Sequence, residues 1–387
     1  MSDSLALCTW SSALAGISEL VPIEETARRF KAFVRARGVK SASDLLRLAL
    51  VYAGGNSLLG SSAWAKAGAI AEVSGPALYR RLGNAAEWLQ FIARRLVEET
   101  RPQISGIWKG RRLRVIDASA ICHPGADRTS WRLHLTYDLS GGVDDFELTD
   151  DSGAERLTRF AWQTGDIALG DRCYARPRDL APVLDSGADL VVRTGWNSLR
   201  LLTLQGEPFD LFAALAKVKR NPKSRTILVD TRDPARPFLK LRLIIARLPP
   251  EKAEIARKKV IARALKAGKK VDPRSLRACE FVLLLTSLPE QFSSEAILDL
   301  YRLRWQIELL FKRFKSLLGL GELPAKQRDL ARSWIFAKMI LALLAEKTAR
   351  KLAESSPCAP AQTALGKAGL ADRAFSHSRS HSSNLSC

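Results

Sequence analysis

Histidine, methionine and paired cysteines are scarce in this chain, and each scarcity removes a class of function. The 387 residues include 4 His and 2 Met. The six cysteines, Cys8, Cys122, Cys173, Cys279, Cys358 and Cys387, form no Cys-x-x-Cys, and the one histidine next to a cysteine, His123 after Cys122, has no second such pair at ligand spacing. That spacing suits neither a zinc site nor a disulfide framework, and a reducing cytoplasm fits it. No uncharged apolar run of 18 residues occurs, so no transmembrane helix and no membrane partner are expected. The first 22 residues carry Asp3 and Glu19 with no basic cluster ahead of the apolar patches, a poor signal peptide.

Acid is also short relative to base. The chain holds 61 Lys+Arg against 40 Asp+Glu, a formal charge of +21. Such an excess points to a polyanion, nucleic acid before a membrane surface. It is concentrated: residues 217–277 contain 20 Lys/Arg and 5 Asp/Glu, a net of +15. The bias crosses several elements, which a merely solvated helix face would not do. Arg257, Lys258 and Lys259, in the helical "EKAEIARKKVIARALKAGKK", are candidate phosphate contacts. A hydrophobic content of 47% is ample for a core, and the length suggests two or three domains.

Residues 1–105 read as helical. "SASDLLRLALVYAGG" has Ser43 or Asp44 as a cap before its apolar run and ends at Gly54-Gly55. "AEVSGPALYRRL" places Ser74 as an N-cap ahead of Pro76. A short helix, a tight turn and a helix opening on Tyr79, Arg80 and Arg81 resemble a helix-turn-helix that could read DNA. From Arg111 the texture changes. "RRLRVIDAS", "WRLHLTYDL" and "DDFELTDDS" read as strands, with Gly141-Gly142 in a hairpin. "GAERLTRFAWQTG" reads as a helix, "DIALGDRCYA" as a strand ending at Asp171, "RPRDLAPVLDSG" as a helix and "ADLVVRTG" as a strand. Three strands, helix, strand, helix, strand is the order of an RNase H-like fold. "RTILVDT" and "LKLRLIIARL" read as paired strands, and "EFVLLLTSLP" as a buried strand.

The expected fold is therefore mixed α/β. An RNase H-like catalytic core is interrupted by a β-rich insertion and preceded by an all-helical N-terminal region. The expected divisions are 1–105 helical and DNA-binding, 106–195 first part of the core, 196–280 basic insertion, 281–350 the rest of the core, and 351–387 a polar, disordered tail.

"YRLRWQIELLFKRFK" places Tyr301, Arg304, Glu308, Lys312 and Lys315 at helical intervals on one stripe. Leu300, Leu303, Ile307, Leu310, Phe314 and Leu318 form an apolar stripe beside it. Alone, this describes a surface helix with a Glu308–Lys312 pair as well as it describes a site. Asp117 at the end of the first strand and Asp171 at the end of a central strand tip the balance. In an RNase H-like fold these acids converge with Glu308. Converging carboxylates suit Mg²⁺, with Mn²⁺ as a substitute, and two such ions serve phosphodiester chemistry. Arg304 can clamp a phosphate bidentately, Lys312 and Lys315 act as point charges, and Tyr301 can donate a hydrogen bond.

Tyr301-x2-Arg304-x3-Glu308-x6-Lys315 resembles the Y-R-E-K signature of the DDE transposases of bacterial insertion sequences, in the group named for insertion sequence four. "VIDASAI" resembles the family's first-aspartate motif and "GDRCYA" its second, where Tyr174 also matches. "WRLHL" with "FELTDD" resembles the intervening hairpin, and "LLLTSLP" the strand before the glutamate helix. The resemblance covers about residues 40–345.

It implies that Asp117, Asp171 and Glu308 bind the metals and that Tyr301, Arg304 and Lys315 contact element-end phosphates. Trp305 would stack near a displaced base or pack against the core, and Trp196 is the nearest candidate for a second such tryptophan. His123 and His134, 11 apart, have no ligand-spaced partners, and His134 is expected to orient the hairpin. The implied activity is metal-assisted cleavage of insertion-sequence ends and their joining to target DNA, in cut-and-paste transposition. The partners are double-stranded DNA, both terminal inverted repeats and target, and a second copy in a homodimer. The setting is the bacterial cytoplasm at the nucleoid. A retired, non-enzymatic DNA-binding descendant and a structure-selective nuclease are the alternatives.

Overall fold

Caps and glycines set the helices of the N-terminal region. The computed structural model describes residues 14–100, 108, 110–126, 129–316, 319–321 and 323–355, and residues 14–20 are helical. After these come α1 (Ile23–Arg29), α2 (Ala42–Ala53), α3 (Leu58–Ala67), α4 (Gly75–Gly83) and α5 (Ala86–Thr100). The cap of α2 is Ser41 rather than Ser43 or Asp44. Its hydroxyl accepts the Asp44 N–H at 3.0 Å, and Glu24 of α1 takes the Ala42 N–H at 2.8 Å. The helix stops at Gly54, and Gly55 follows at φ 112°, a conformation that favours glycine. Ser74 caps α4 with Pro76 in the first turn. The α3–α4 connection, residues 68–74, is longer than a tight turn and is pinned by a bridge between Val39 and Ala71.

A nine-stranded sheet follows. Its strands are β1 (Arg112–Ile121), β2 (Trp131–Asp138), β3 (Gly142–Asp150), β4 (Asp166–Gly170), β5 (Asp189–Arg193), β6 (Leu201–Leu202), β7 (Lys223–Asp230), β8 (Phe238–Arg247) and β9 (Phe281–Thr286). The spatial order is β3-β2-β1-β4-β5-β9-β8-β7-β6. β1, β4 and β5 are mutually parallel, and the other pairings are antiparallel. A meander followed by two parallel strands is consistent with an RNase H-like core. The basic insertion does not make a sheet of its own. β9 pairs with β5, β8 with β9, and so β6–β8 prolong the core sheet.

The helices of this part are α6 (Pro177–Asp185), α7 (Leu211–Ala216), α8 (Pro250–Lys266), α9 (Pro273–Ala278), α10 (Ser294–Arg302), α11 (Trp305–Ser316) and α12 (Arg328–Ser355). Ile116, Ala168, Leu190, Val192, Ile227, Leu243 and Leu285 share one buried cluster with Leu157, Trp162 and Leu180. α11 packs against β1 and α10 against β5.

Two expected helices differ. "GAERLTRFAWQTG" yields one 3-10 turn, Leu157–Arg159. Leu157, Phe160 and Trp162 are all buried there, a spacing that no single helix face provides, and the Trp162 indole N–H donates to the Leu157 carbonyl at 2.8 Å. Burial has overridden local propensity. "YRLRWQIELLFKRFK" is two helices, because Leu303 and Arg304 form a turn between α10 and α11. The N–H groups of Leu303, Arg304, Gln306 and Ile307 bond three residues back instead of four.

Residues up to Leu343 cluster as one unit and residues from Leu344 as another. In the second, α12 runs to Ser355, and the Thr348 hydroxyl donates to the Leu344 carbonyl at 2.9 Å. Residues 356–387, most of the expected tail, lie outside the described residues, as does Leu318. No helix among the described residues is long and apolar enough to cross a membrane.

Candidate active site

Strand register brings the two aspartates level. β1 and β4 pair from Arg112↔Asp166 to Val115↔Leu169. Carried two residues past the paired stretch, that register sets Asp117 opposite Asp171, and the Asp171 charge acts on the Asp117 carboxyl. Asp117 is the sixth residue of β1 rather than its end, but it lies beyond the stretch paired with β4. Gly170 permits the chain to leave β4 closely, since a Cβ there would stand 3.0 Å from that of Tyr174. Asp171 then caps the 3-10 turn Arg172–Tyr174, accepting the Cys173 N–H at 2.7 Å.

Burial pushes the Asp117 carboxyl up to about 7. The Ala118 N–H, 2.9 Å from Oδ1, acts the other way, Asp171 and Glu155 raise it further, and Arg304 lowers it. Glu155 is thus a further carboxylate at this end of the sheet. Nothing in its sequence surroundings marked it, because the segment read as an ordinary helix.

Arg304 joins the two sides of the site. Its Nη1 stands 4.0 Å from Asp117 Oδ2, and its Nη2 pairs with Glu308. Glu308 is therefore tied to Arg304, and the expected Glu308–Lys312 pair is not the contact made. The Arg304 guanidinium lies 5.8 Å from the centre of the Tyr301 ring. Burial raises the Tyr301 phenol, with Asp171 pushing the same way and Arg304 and Arg193 opposing.

Two clefts flank this junction. Asp117, Ser119, Glu308, Lys312 and Lys315 line one of about 560 Å³. Asp171, Tyr301 and Arg304 line a second of about 930 Å³, whose far wall is Lys252, Lys259 and Arg263 of α8, with Arg193 and Trp196. Residues 252, 256, 259 and 263 repeat at helical spacing, so α8 turns one basic face to the cleft. Of the three cations singled out on α8, Lys259 is on that face. Arg257 is bound to Glu280 and Glu254, and Lys258 stands exposed 4.0 Å from Glu254.

Other candidates are placed as follows. Trp305 is 42% exposed at the start of α11 and is not a core residue. The Trp196 indole donates to Ser275 at 3.1 Å, meets Phe212 edge-on and has the Arg274 guanidinium 4.6 Å over its ring. His134 is fully buried against Thr149 at 3.0 Å, and burial, Arg159 and Arg132 lower it to about 3, which keeps it neutral. His123 Nδ1 lies 3.2 Å from the Ala325 carbonyl. In α4, Arg80 and Tyr79 are exposed, whereas Arg81 donates to the carbonyls of Arg35 and Arg37 over the Phe33 ring.

The donor set of Asp117, Asp171 and Glu308 is all oxygen, and its negative charge exceeds what Arg304 supplies, which fits a hard divalent cation. Residues 108–344 match the family described as transposase DDE domain. The chain is 41% identical over 343 residues to the putative transposase InsL for insertion sequence element IS186A of Escherichia coli (strain K12), covering 87% of this chain and 92% of that one. It is 40% identical over 344 residues, with the same coverage, to the transposase for insertion sequence element IS421 of Escherichia coli. To the transposase for insertion sequence element IS231E of Bacillus thuringiensis subsp. finitimus it is 25% identical over 283 residues, 64% and 58% of the two chains. The chain belongs to the DDE transposases, metal-dependent enzymes that cleave DNA and transfer strands. Its function is that of a DNA transposase.

Proposed function

We propose that this transposase cuts the ends of an insertion sequence at Asp117, Asp171 and Glu308 and joins the freed 3′-hydroxyl to target DNA. The observation that carries this is the register of the parallel strands β1 and β4, which sets Asp117 opposite Asp171 just past the end of β4, with Arg304 linking Asp117 to Glu308 between two clefts. Asp117, Asp171 and Glu308 would hold Mg²⁺, or Mn²⁺ in its place, as two ions, which would supply positive charge at phosphorus and lower the pKa of the attacking water or 3′-hydroxyl. The chain's own residues hold and aim the DNA. Arg304 turns its guanidinium from Glu308 to the phosphate, where its planar fork matches two oxygens. Lys312 and Lys315 hold the strand in the smaller cleft, and Tyr301 donates a hydrogen bond from its hydroxyl to a phosphate oxygen. Lys252, Lys259 and Arg263 receive backbone phosphates in the larger cleft, while exposed Trp305 stacks on a base beside the cut.

Arg80, with Tyr79, reads the terminal inverted repeat. A homodimer bridges the two ends, and the reaction takes place on nucleoid DNA in the cytoplasm. The test uses a labelled element-end duplex with Mg²⁺ and a 3′-hydroxyl donor. Wild type should nick and then give joined product. Asp117→Ala, Asp171→Ala and Glu308→Ala should bind the duplex and leave it intact. Hydrolysis without joined product would make the chain a nuclease, and nicking by any alanine variant would remove that residue from the site.

A further inference from the structure

Cysteine spacing promised no zinc site, yet one thiol stands among carboxylates. Glu155, from the loop after β3, and Asp171 and Cys173, from the turn after β4, each present a ligand atom, all within 4.8 Å of one another. The set is one sulfur and two carboxylate oxygens. Beside it, Tyr174 is fully enclosed and its hydroxyl has no hydrogen-bond partner. Besides burial, the charges of Asp117, Glu155, Asp171 and Cys173 act on that hydroxyl, so it lies within their electrostatic reach. A buried hydroxyl without a partner is costly, and it can be satisfied by a water held on a cation between these ligands.

We propose that Glu155, Asp171 and Cys173 form a site for a thiophilic divalent cation, Zn²⁺ or Cd²⁺, and that filling it inhibits the enzyme because the site shares Asp171. Sulfur decides the ligand class. Mg²⁺ takes oxygen ligands, whereas a thiolate selects Zn²⁺ and its softer congeners. Tetrahedral Zn²⁺ with bonds of about 2.0–2.3 Å needs its ligands to close in by roughly 1 Å. The groups can move: Cys173 is exposed, and the Glu155 partner Arg132 is a single ion pair at 3.4 Å. Asp171 keeps Oδ1 on the Cys173 N–H and offers Oδ2. On binding, the Cys173 S–H bond breaks, its proton passes to solvent, and the sulfur lone pair bonds the metal, with no change of oxidation state. The Asp171 carboxylate is then drawn toward Cys173 and away from Asp117.

The cation is read first without DNA, so the outcome stands apart from the assignment of cleavage. Cd²⁺ is titrated into the metal-free full-length chain and the thiolate-to-Cd²⁺ absorption is followed, with Zn²⁺ as competitor. Wild type and Cys279→Ser should show a tight band that Zn²⁺ displaces. Cys173→Ser should lose it, and Glu155→Gln should bind at least about tenfold more weakly. Thermal melts of each variant confirm folding. With Mg²⁺ fixed, added Zn²⁺ should slow wild-type cleavage and spare Cys173→Ser, each scaled to its own Zn²⁺-free rate. An undiminished band in Cys173→Ser, or equal slowing of both proteins, overturns the proposal.

Discussion

Two groups of acids belong to the core part of this fold and are treated in opposite ways. Asp138, Asp144 and Asp166 are buried and meet arginine at every turn. Arg112 pairs with Asp138 and Asp144 and stands 3.7 Å from Asp166, while Arg114 pairs with Asp144 and, at 2.9 Å, with Asp166. Asp117 and Glu308 share one guanidinium, that of Arg304, and with Asp171 they border open clefts. Matched acids inside a sheet are architecture. Acids left in excess at the edge of a cleft are a place for cations. The sheet's own halves repeat the contrast, with the core half turning charge inward and the insertion half turning Lys252, Lys259 and Arg263 outward to a groove.

The contrast breaks most visibly through catalysis. Asp117→Asn, Asp171→Asn or Glu308→Gln should cut duplex cleavage by roughly 10³-fold or more, since several kcal/mol of stabilisation at phosphorus depends on them. Melting temperature should not fall and end binding should hold, and a parallel loss of both would move that acid into the architectural group. The buried group should fail differently. Arg114→Met leaves Asp144 and Asp166 without its guanidinium, and urea unfolding should show a loss of about 3–5 kcal/mol. A loss under ~1 kcal/mol would show that those aspartates need no partner.

Acidity sharpens the comparison next. The folded-state Asp117 carboxyl sits at about 7 against an ordinary 3.8. Between those values the folded, metal-free protein binds a proton that the unfolded chain has released. Its contribution is therefore full below the ordinary value and is lost as pH rises through about 7. Asp117→Asn should remove that slope, worth on the order of a few kcal/mol. Identical pH profiles for the two proteins would mean that Asp117 is not held up.

Smaller effects separate reading from holding. Arg80→Ala should erode discrimination between cognate and scrambled ends by ~1–3 kcal/mol per base contact. Arg81→Ala should instead lower stability by about 1 kcal/mol, through its lost carbonyl bonds. Equal losses of binding on both DNAs for Arg80→Ala would demote α4 to a phosphate contact. Smallest is the salt slope. Lys259→Glu should flatten log K against log salt by about one contact's worth, and Lys258→Glu by less. The reverse order would put the DNA on the other face of α8.

Much of this was legible from residue order alone. Alternation and β-branching marked β1 to β5, the β7–β8 pair and β9, because a half-buried strand repeats every two residues whatever surrounds it. Three- and four-residue spacing found Tyr301, Arg304, Glu308, Lys312 and Lys315, and two short motifs found Asp117 and Asp171. The turn at Leu303–Arg304 was not legible. The apolar period runs straight through it, and no Gly or Pro marks the break. The lost helix at 153–165 was not legible either, because Leu157, Phe160 and Trp162 follow the shape of the core they fill.

By itself, then, the sequence determined the strand order of the core, the basic charge and the identity of the acids, all consequences of local period and residue type. Only the tertiary structure decided that Asp117 and Asp171 come level, that Arg304 rather than Lys312 takes Glu308, and that Lys259 alone of its run faces the cleft. It also decided that Glu155 and Cys173 stand beside Asp171. Those facts depend on register between strands and on which helix face packs inward. Both are set by the summed burial of the whole sheet, which no short stretch of chain encodes.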